Sequence, residues 1–376
     1  MPTIRCDLVL LSWNHLEQTR PCLESLMACT DVPCRLIIVD NGSEPAVRRN
    51  LQGVRPQGAI QEVRLLQNEA NEGFPRGLNR GLAISTAPFA CLLNNDLRFT
   101  GGWLRELIAV AEANPSVGLV NPASNTFGHR APRGALGERD PAEDRANRGV
   151  YSEVGMCIGF CLLIKRELLE RIGGLSEDVE RIFFEDEDYS MRAAAAGYRC
   201  VVAEGAYVEH AEHQSVRVGP ERQALFDRNR RWCEARWGRR LRVAWPRFAP
   251  VTPGSEELRR WLERLLTWAR RRTHVYVYGD VPSGLSVREL FGSVGLEPHS
   301  DIHWFRVPPP VAPLESLRAI ISRQKKPFDV VVAPRRGWAA LVSGLRWLHH
   351  ADVVDEADEE HLTTLWKLRS RSPSSS

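Results

Sequence analysis

Phe89-Ala90-Cys91-Leu92-Leu93-Asn94-Asn95-Asp96-Leu97-Arg98-Phe99 begins as an apolar run of strand length and stops at three polar side chains, the last a carboxylate. Strands covered on both faces of a parallel sheet lose polar alternation and read as continuous apolar runs. Their functional groups sit just past the carboxyl end, where open α/β sheets bind ligands. There Asn94, Asn95 and Asp96 can hold a divalent cation and, through it, diphosphate oxygens. Taken alone, the triplet reads more simply as a polar turn closing a strand. The rest of the chain has to supply its partners.

Upstream, the same pattern recurs. Residues 6–11 form an apolar strand ending in Ser12-Trp13-Asn14, and residues 35–39 another ending in Asp40-Asn41-Gly42-Ser43. A short third strand at 63–66 leads into Asn71-Glu72-Gly73-Phe74. Helical spacing of apolar residues fills 16–28 and 78–85. Strands alternating with helices predict a parallel sheet with helices on both faces. Polar clusters repeated at strand ends predict one shared crevice.

Downstream, residues 103–114 read as a helix halted before Pro115, and 123–150 as an irregular, Gly-, Pro- and charge-rich loop of functional length. The longest apolar run, 154–164, is read as one buried strand. Phe183-Phe184-Glu185-Asp186-Glu187-Asp188 opens a helix that ends at Gly197, and a strand at 200–203 leads to Glu209 and His210. Carboxylates in a first turn suit the helix dipole without any function, and Asp188 and Arg192 are spaced to pair along the helix. Four in a row nevertheless repel one another, which raises their proton affinity. His210 alone would be a solvated loop histidine; in a domain already holding Asp96 it is a candidate ligand.

Composition narrows the classes. A chain of 376 residues is long for one core and suggests two domains. A net charge of only +3 argues against a bulk nucleic-acid partner. No apolar run reaches the roughly 20 residues needed to cross a bilayer. The first residues lack a secretory pattern, and nine cysteines without a CxxC pair fit reduced thiols in a cytoplasmic protein.

The order and spacing of Ser12-Trp13-Asn14, Asp40-Asn41-Gly42-Ser43, Asn71-Glu72-Gly73-Phe74, Leu93-Asn94-Asn95-Asp96, Phe184-Glu185-Asp186-Glu187-Asp188, Arg192, Gly197-Tyr198 and His210 resemble the family 2 glycosyltransferases. The subgroup they resemble is bacterial and rhamnosyltransferase-like. The resemblance implies an α/β domain of the GT-A type, with a central mostly parallel sheet and a nucleotide-sugar site. It implies inverting, metal-dependent transfer from a nucleoside-diphosphate sugar, UDP- or dTDP-linked, to a glycan, lipid-linked or protein hydroxyl. By it Asp96 and His210 hold Mn2+ or Mg2+, Asn94 takes the place of a first carboxylate, and Asn95 completes the triplet. Asp40 contacts a pyrimidine base near Ser12 and Asn14, while Asn71 and Gly73 lie against the nucleotide. Asp186 is the catalytic base and Glu185 orients the acceptor; the extra acid Glu187 loosens that register.

The expected organisation is a glycosyltransferase domain at 1–245, a linker with an amphipathic helix at 246–272, a small C-terminal α/β module at 273–368 and a disordered tail at 369–376. Two other readings compete: a non-catalytic scaffold binding nucleotide sugar or glycan, and peripheral membrane association through the amphipathic helix.

Overall fold

The computed structural model describes residues 3–125, 146–211, 220–323, 325–358 and 364. The chain divides into two compact units, Met1–Cys233 and Glu234–Ser376. The first unit runs β1 (Cys6–Ser12), α1 (Leu16–Cys29), β2 (Cys34–Asp40), α2 (Pro45–Gln52), β3 (Ile60–Gln67), α3 (Phe74–Ala83) and β4 (Phe89–Leu93). It continues through β5 (Leu97–Phe99), α4 (Trp103–Ala113), β6 (Val117–Ala123), β7 (Tyr151–Val154) and β8 (Cys161–Lys165). Then come α5 (Arg166–Ile172), α6 (Glu185–Ala195), β9 (Arg199–His210) and α7 (Pro220–Trp237), within which the boundary falls.

These strands form one mixed sheet in the order β3-β2-β1-β4-β8-β6-β9-β5, with β7 also on β9. β3, β2, β1 and β4 are mutually parallel, and β8 enters antiparallel between β4 and β6. Every residue of β1, β2 and β4 is buried, which is why these segments are apolar without alternation. Successive side chains feed opposite layers. Leu8 and Leu10 pack with Leu23 and Leu26 of α1 and Trp103 and Leu107 of α4. Val9 and Leu11 pack with Leu78 and Leu82 of α3 and Tyr189 of α6. Two helical layers thus enclose the sheet, the expected α/β architecture.

At the amino ends of the strands, Asp7 is fully buried opposite Arg35 in the β1–β2 register. It accepts 2.9 Å bonds from Arg35 Nε and Nη2, and further bonds from Ser85 Oγ and the N–H groups of Thr86 and Ala87. This end carries structure, and the opposite end is left for chemistry.

The apolar run 154–164 is not one strand: β7 ends at Val154 and β8 begins at Cys161. The intervening turn is held by side chains. Buried Asn121 accepts from Ile158 N at 2.7 Å and donates to Ile158 O and Cys161 O, and Ser190 Oγ accepts from Cys157 N at 3.0 Å. β9 is also far longer than the four residues expected at 200–203, which extends the sheet to His210.

The second unit contains β10 (Leu241–Pro246), α8 (Glu256–Ala269), β11 (Thr273–Gly279), α9 (Val287–Gly292) and β12 (Ile302–Arg306). It ends with α10 (Ala312–Ser322), β13 (Val330–Ala333), α11 (Arg336–Gly344), α12 (Arg346–His349) and β14 (Asp352–Asp355). All five strands are parallel, in the order β12-β11-β10-β13-β14. β10 is its central strand, so residues 241–269 differ from the expected boundary and linker: they are core elements here. Leu258, Trp261, Leu262 and Leu265 of α8 are buried with Val243, Trp245 and Val275. The apolar face considered for a membrane surface is therefore packed inside its own unit. Among the described residues, no helix is long and apolar enough to cross a membrane. The tail expected at 369–376 lies outside the described residues.

Candidate active site

The strand order reverses between β1 and β4, since β2 and β3 lie on one side of β1 and β4 on the other. Ligands of open α/β sheets bind beyond the carboxyl ends at such a point. Ser12, Asp40 and Asn94 all stand there, Ser12 and Asp40 in direct register.

On the β1–β2 side, Asp40 is fully buried. Its Oδ1 accepts from Ser43 N at 2.9 Å, while Oδ2 has no hydrogen bond and faces Arg48 Nε at 3.5 Å. Arg48 Nε itself donates to Ser43 O, so the Asp40 contact is an ion pair only. A buried carboxylate oxygen left over in this way is available to a ligand donor. Asn14 is in the left-handed region, φ 53°, and stitches the two strand ends together: its N–H donates to Ser43 Oγ and its Oδ1 accepts from Glu44 N, each at 2.9 Å. Ser12 Oγ lies 3.4 Å from Thr19 Oγ1 rather than facing outward. Asn95 Nδ2 donates to the same Thr19 Oγ1 at 2.8 Å, so both residues brace the floor of the crevice.

Asn41, quoted in the sequence only as part of its motif and given no role there, organises the adjoining loop. Its Nδ2 donates to Asn71 Oδ1 at 3.0 Å and Gly73 O at 3.1 Å, and its Oδ1 accepts from Asn68 Nδ2 and Glu72 N. Asn71 Oδ1 also accepts from Gly73 N at 2.9 Å. Asn71 and Gly73 are thereby held beside Asp40.

On the β4 side, the antiparallel pairing of β5 with β9 sets Leu97 opposite His210. That register brings the preceding Asp96 beside the histidine: His210 Nε2 lies 3.4 Å from Asp96 Oδ1 and 3.4 Å from Asn94 Nδ2. Asn94 Oδ1 and Asp96 Oδ1 are both buried without a hydrogen bond. The His210 ring is clamped by stacking on Phe160, centroids 5.2 Å apart at 14°, and its backbone exchanges two bonds with the Asn125 amide. The unbonded Asp96 Oδ1 beside the imidazole nitrogen, with the Asn94 amide 3.4 Å from that nitrogen, fits a divalent cation that accepts mixed oxygen and nitrogen ligands, as Mn2+ does. Glu209 is opposite Arg98 in the same ladder. His213, considered a bystander, lies outside the described residues.

The acidic run opens α6 as expected, but its members differ in environment. Asp188 is fully buried and accepts from Arg192 Nε at 2.8 Å, and Arg192 also donates to Ile172 O and Gly174 O. This pair ties α6 to α5. Glu185 is buried with Oε2 unbonded, and burial, reinforced by the Asp186 charge, pushes its carboxyl well above the ordinary range. Asp186 keeps partial exposure and accepts from Glu187 N at 2.8 Å and Gly159 N at 3.4 Å. Burial nevertheless raises it to about 6, against the lowering effect of those bonds.

Gly159 and Phe160 connect this helix to the Asn94–Asp96–His210 group. Gly159 donates to Asp186, while Phe160 accepts from Asn94 N at 2.9 Å and stacks on His210. The turn before α6 is strained: Arg181, Phe183 and Phe184 have φ of 59°, 80° and 72°. Asn229 of α7 holds it, its buried Nδ2 donating to Glu180 O at 2.9 Å and Ile182 O at 2.8 Å. Phe226 packs against both phenylalanines. Neither Asn229 nor Phe226 was foreseen, because an amide in a charged helix carries no distinguishing pattern.

Residues 7–173 match the family model "Glycosyl transferase family 2". This segment is a family 2 glycosyltransferase domain. The chain is 27% identical over 251 residues to the uncharacterized protein y4gI of Sinorhizobium fredii, with 61% of this chain and 27% of that protein covered. It therefore spans only about a quarter of that relative. It is also 27% identical over 270 residues to an N-acetylglucosaminyl-diphospho-decaprenol L-rhamnosyltransferase of Mycobacterium tuberculosis, covering 59% of this chain and 84% of the relative. Among solved structures, it is similar to a mannosyltransferase from Pyrobaculum calidifontis in complex with GDP-Man and Mn2+, at TM-score 0.43 and 20% identity. That alignment covers 57% of this chain and 59% of the other. The family 2 domain includes Asp40, Asn71, Asp96 and Gly159, while Asp186 and His210 lie just beyond the matched segment.

Proposed function

We propose that the first unit transfers a sugar from a nucleoside diphosphate to an acceptor hydroxyl, with inversion at the anomeric carbon. The observation that carries this reading is the meeting of Asp96 Oδ1 with His210 Nε2 beside the Asn94 side-chain amide, linked through Gly159 and Phe160 to Asp186. Asp96 and His210, with Asn94, would hold Mn2+ or Mg2+, which when bound neutralises charge building on the departing diphosphate. Asp40 offers its unbonded Oδ2 to a donor N–H of a pyrimidine base, favouring a UDP- or dTDP-sugar. Asn71 and Gly73 shape the wall beside it.

Asp186 accepts the acceptor's proton on a carboxylate kept in place by the Gly159 and Glu187 N–H groups. Its raised proton affinity makes it a stronger base while leaving it mainly ionised at neutral pH. Glu185, favoured in its neutral form by burial, is suited to donate a hydrogen bond toward the acceptor. The acceptor oxygen then attacks opposite the diphosphate, and no enzyme side chain is sugar-bound. The acceptor we favour is a lipid-linked glycan, following the named activity of the mycobacterial relative. The second unit is proposed to serve acceptor or partner binding.

A thermal-shift screen of nucleoside diphosphates with and without Mn2+ tests the reading. A nucleotide at about 100 times its Kd should stabilise the chain by about 2.7 kcal/mol. Asp96→Ala should abolish the metal-dependent part. An unchanged shift in that variant removes Asp96 from the site, and absence of donor turnover alongside intact binding would favour the non-catalytic scaffold.

A further inference from the structure

The second unit carries a cluster that donor chemistry does not use. In the parallel register of β11 and β12, Val275 faces Ile302 and Tyr276 faces His303. Side chains two apart share a face, so His274 and Tyr276 on β11 stand beside His303 on β12 and Asp301, the residue that leads into it. His274 Nδ1 lies 3.3 Å from Asp301 Oδ1 and 3.3 Å from His303 Nε2. One ligand atom from each of His274, Asp301 and His303 falls within 4.8 Å of the others. The imidazoles are stacked, centroids 5.5 Å apart at 26°, and Tyr276 packs on His303 at 4.7 Å. Asp301 is set in place by its own N–H, which donates to His299 Nδ1 at 3.1 Å.

We propose that His274, Asp301 and His303 form a transition-metal site of the Zn2+ class, which clips edge strand β12 to β11. Two features favour a cation over a purely internal hydrogen-bond network. A single Nδ1 proton can only be shared, at 3.3 Å each, between the carboxylate and the second imidazole, whereas a cation takes lone pairs from all three. Two imidazoles and one carboxylate are also the ligand types of borderline divalent ions, not of Mg2+ or Ca2+. All three side chains are partly exposed, which leaves a path for the ion and a position for water. The cluster sits at the amino ends of the strands, so it is a structural clip and not part of a carboxyl-end crevice.

The test uses the full-length, untagged chain carrying Asp96→Ala and His210→Ala, so that the first unit contributes no metal. After chelator treatment, the protein is loaded with Zn2+, desalted and its metal content measured; Co2+ loading is followed by visible absorption. About one Zn2+ per chain should remain, and Co2+ should give d–d bands without the near-ultraviolet charge transfer of a thiolate ligand. His274→Gln and His303→Gln should each weaken Zn2+ binding by about 100-fold or more. They should also remove the Zn2+-dependent rise in Tm, while metal-free circular dichroism stays as in the parent. Asp301→Asn provides a third variant should a histidine change prevent folding. No retained Zn2+ in the parent, or retention equal in parent and variants, would overturn the proposal. Because the donor-side metal ligands are already removed, neither result depends on glycosyl transfer.

Discussion

Gly73 and Arg181 lie against each other: a Cβ built on Gly73 would stand 3.0 Å from Arg181 Cα, and Phe74 N donates to Arg181 O at 2.7 Å. The loop beside Asp40 is thus braced on the strained turn that precedes Asp186. Gly73 has φ 89° and ψ 173°, a conformation open essentially to glycine alone. Gly73→Ala is expected to cost about 1–3 kcal/mol, from strain and the close approach together. Urea denaturation measures the loss. Sugar transfer should fall with it, since both sides of the crevice move.

Asp186 should impose a pH limb on activity. A base must be ionised, so transfer should decline as pH falls through about 6, and Asp186→Asn should lose that limb while transfer drops by about 10²–10⁴-fold. The same group has a stability signature. Its folded value is raised above the ordinary 3.8, so its contribution favours the fold below about pH 4 and is lost as pH rises through about 6. At neutral pH the variant should therefore be more stable than the parent, by about 1–3 kcal/mol. Greater stability with lower activity separates a functional carboxylate from a structural one.

Asp7 should behave in the opposite sense. Burial alone would raise its carboxyl, but the Arg35 bonds and the Ala87 and Thr86 N–H groups outweigh burial and hold it below the ordinary 3.8. That stabilisation is present above about pH 4 and is lost as pH falls through the lowered folded value. Asp7→Asn breaks a buried ion pair and is expected to cost about 3–5 kcal/mol at neutral pH. The gap from the parent should shrink in acid; a gap independent of pH would show that shape, not charge, is what Asp7 supplies.

Asn229→Ala removes the donor for two backbone carbonyls of the strained turn. A loss of about 1–3 kcal/mol is expected from the unpaired groups. Because the turn carries Asp186, kcat should fall more than nucleotide affinity does. Equal losses in both would place Asn229 in general stability alone.

A chain ending at Trp237 should remain soluble and bind nucleotide. One ending at Gly254 should aggregate, because it carries β10 without β11 and β13 and exposes Val243 and Trp245, both fully buried in the second sheet. Static light scattering of the two distinguishes them.

Much of this was legible because parallel strands signal themselves. The apolar runs of β1, β2 and β4 end in polar residues, and that alone placed Ser12, Asp40 and Asn94 at one edge. What the pattern could not convey was direction of pairing. β8 enters antiparallel, and β5 is only three residues long, yet its register decides that Asp96 meets His210. Ser12 and Asn95 looked like ligand contacts by position, but their side chains turn to Thr19, a choice made by packing of α1 that no local spacing records. The acidic run could not be resolved from charge either. Only burial and the Arg192 pairing distinguish Asp188 from Asp186.

β9 has one more consequence. β6 ends at Ala123 opposite Tyr207, and β7 begins at Tyr151 opposite Ala203, so the segment between them starts and finishes on the strand that carries His210. Its two ends are moored a few residues apart on one rigid rail. The pairing of Asp96 with His210 is set by β5 on β9, so a change of length between those moorings leaves that register as it is.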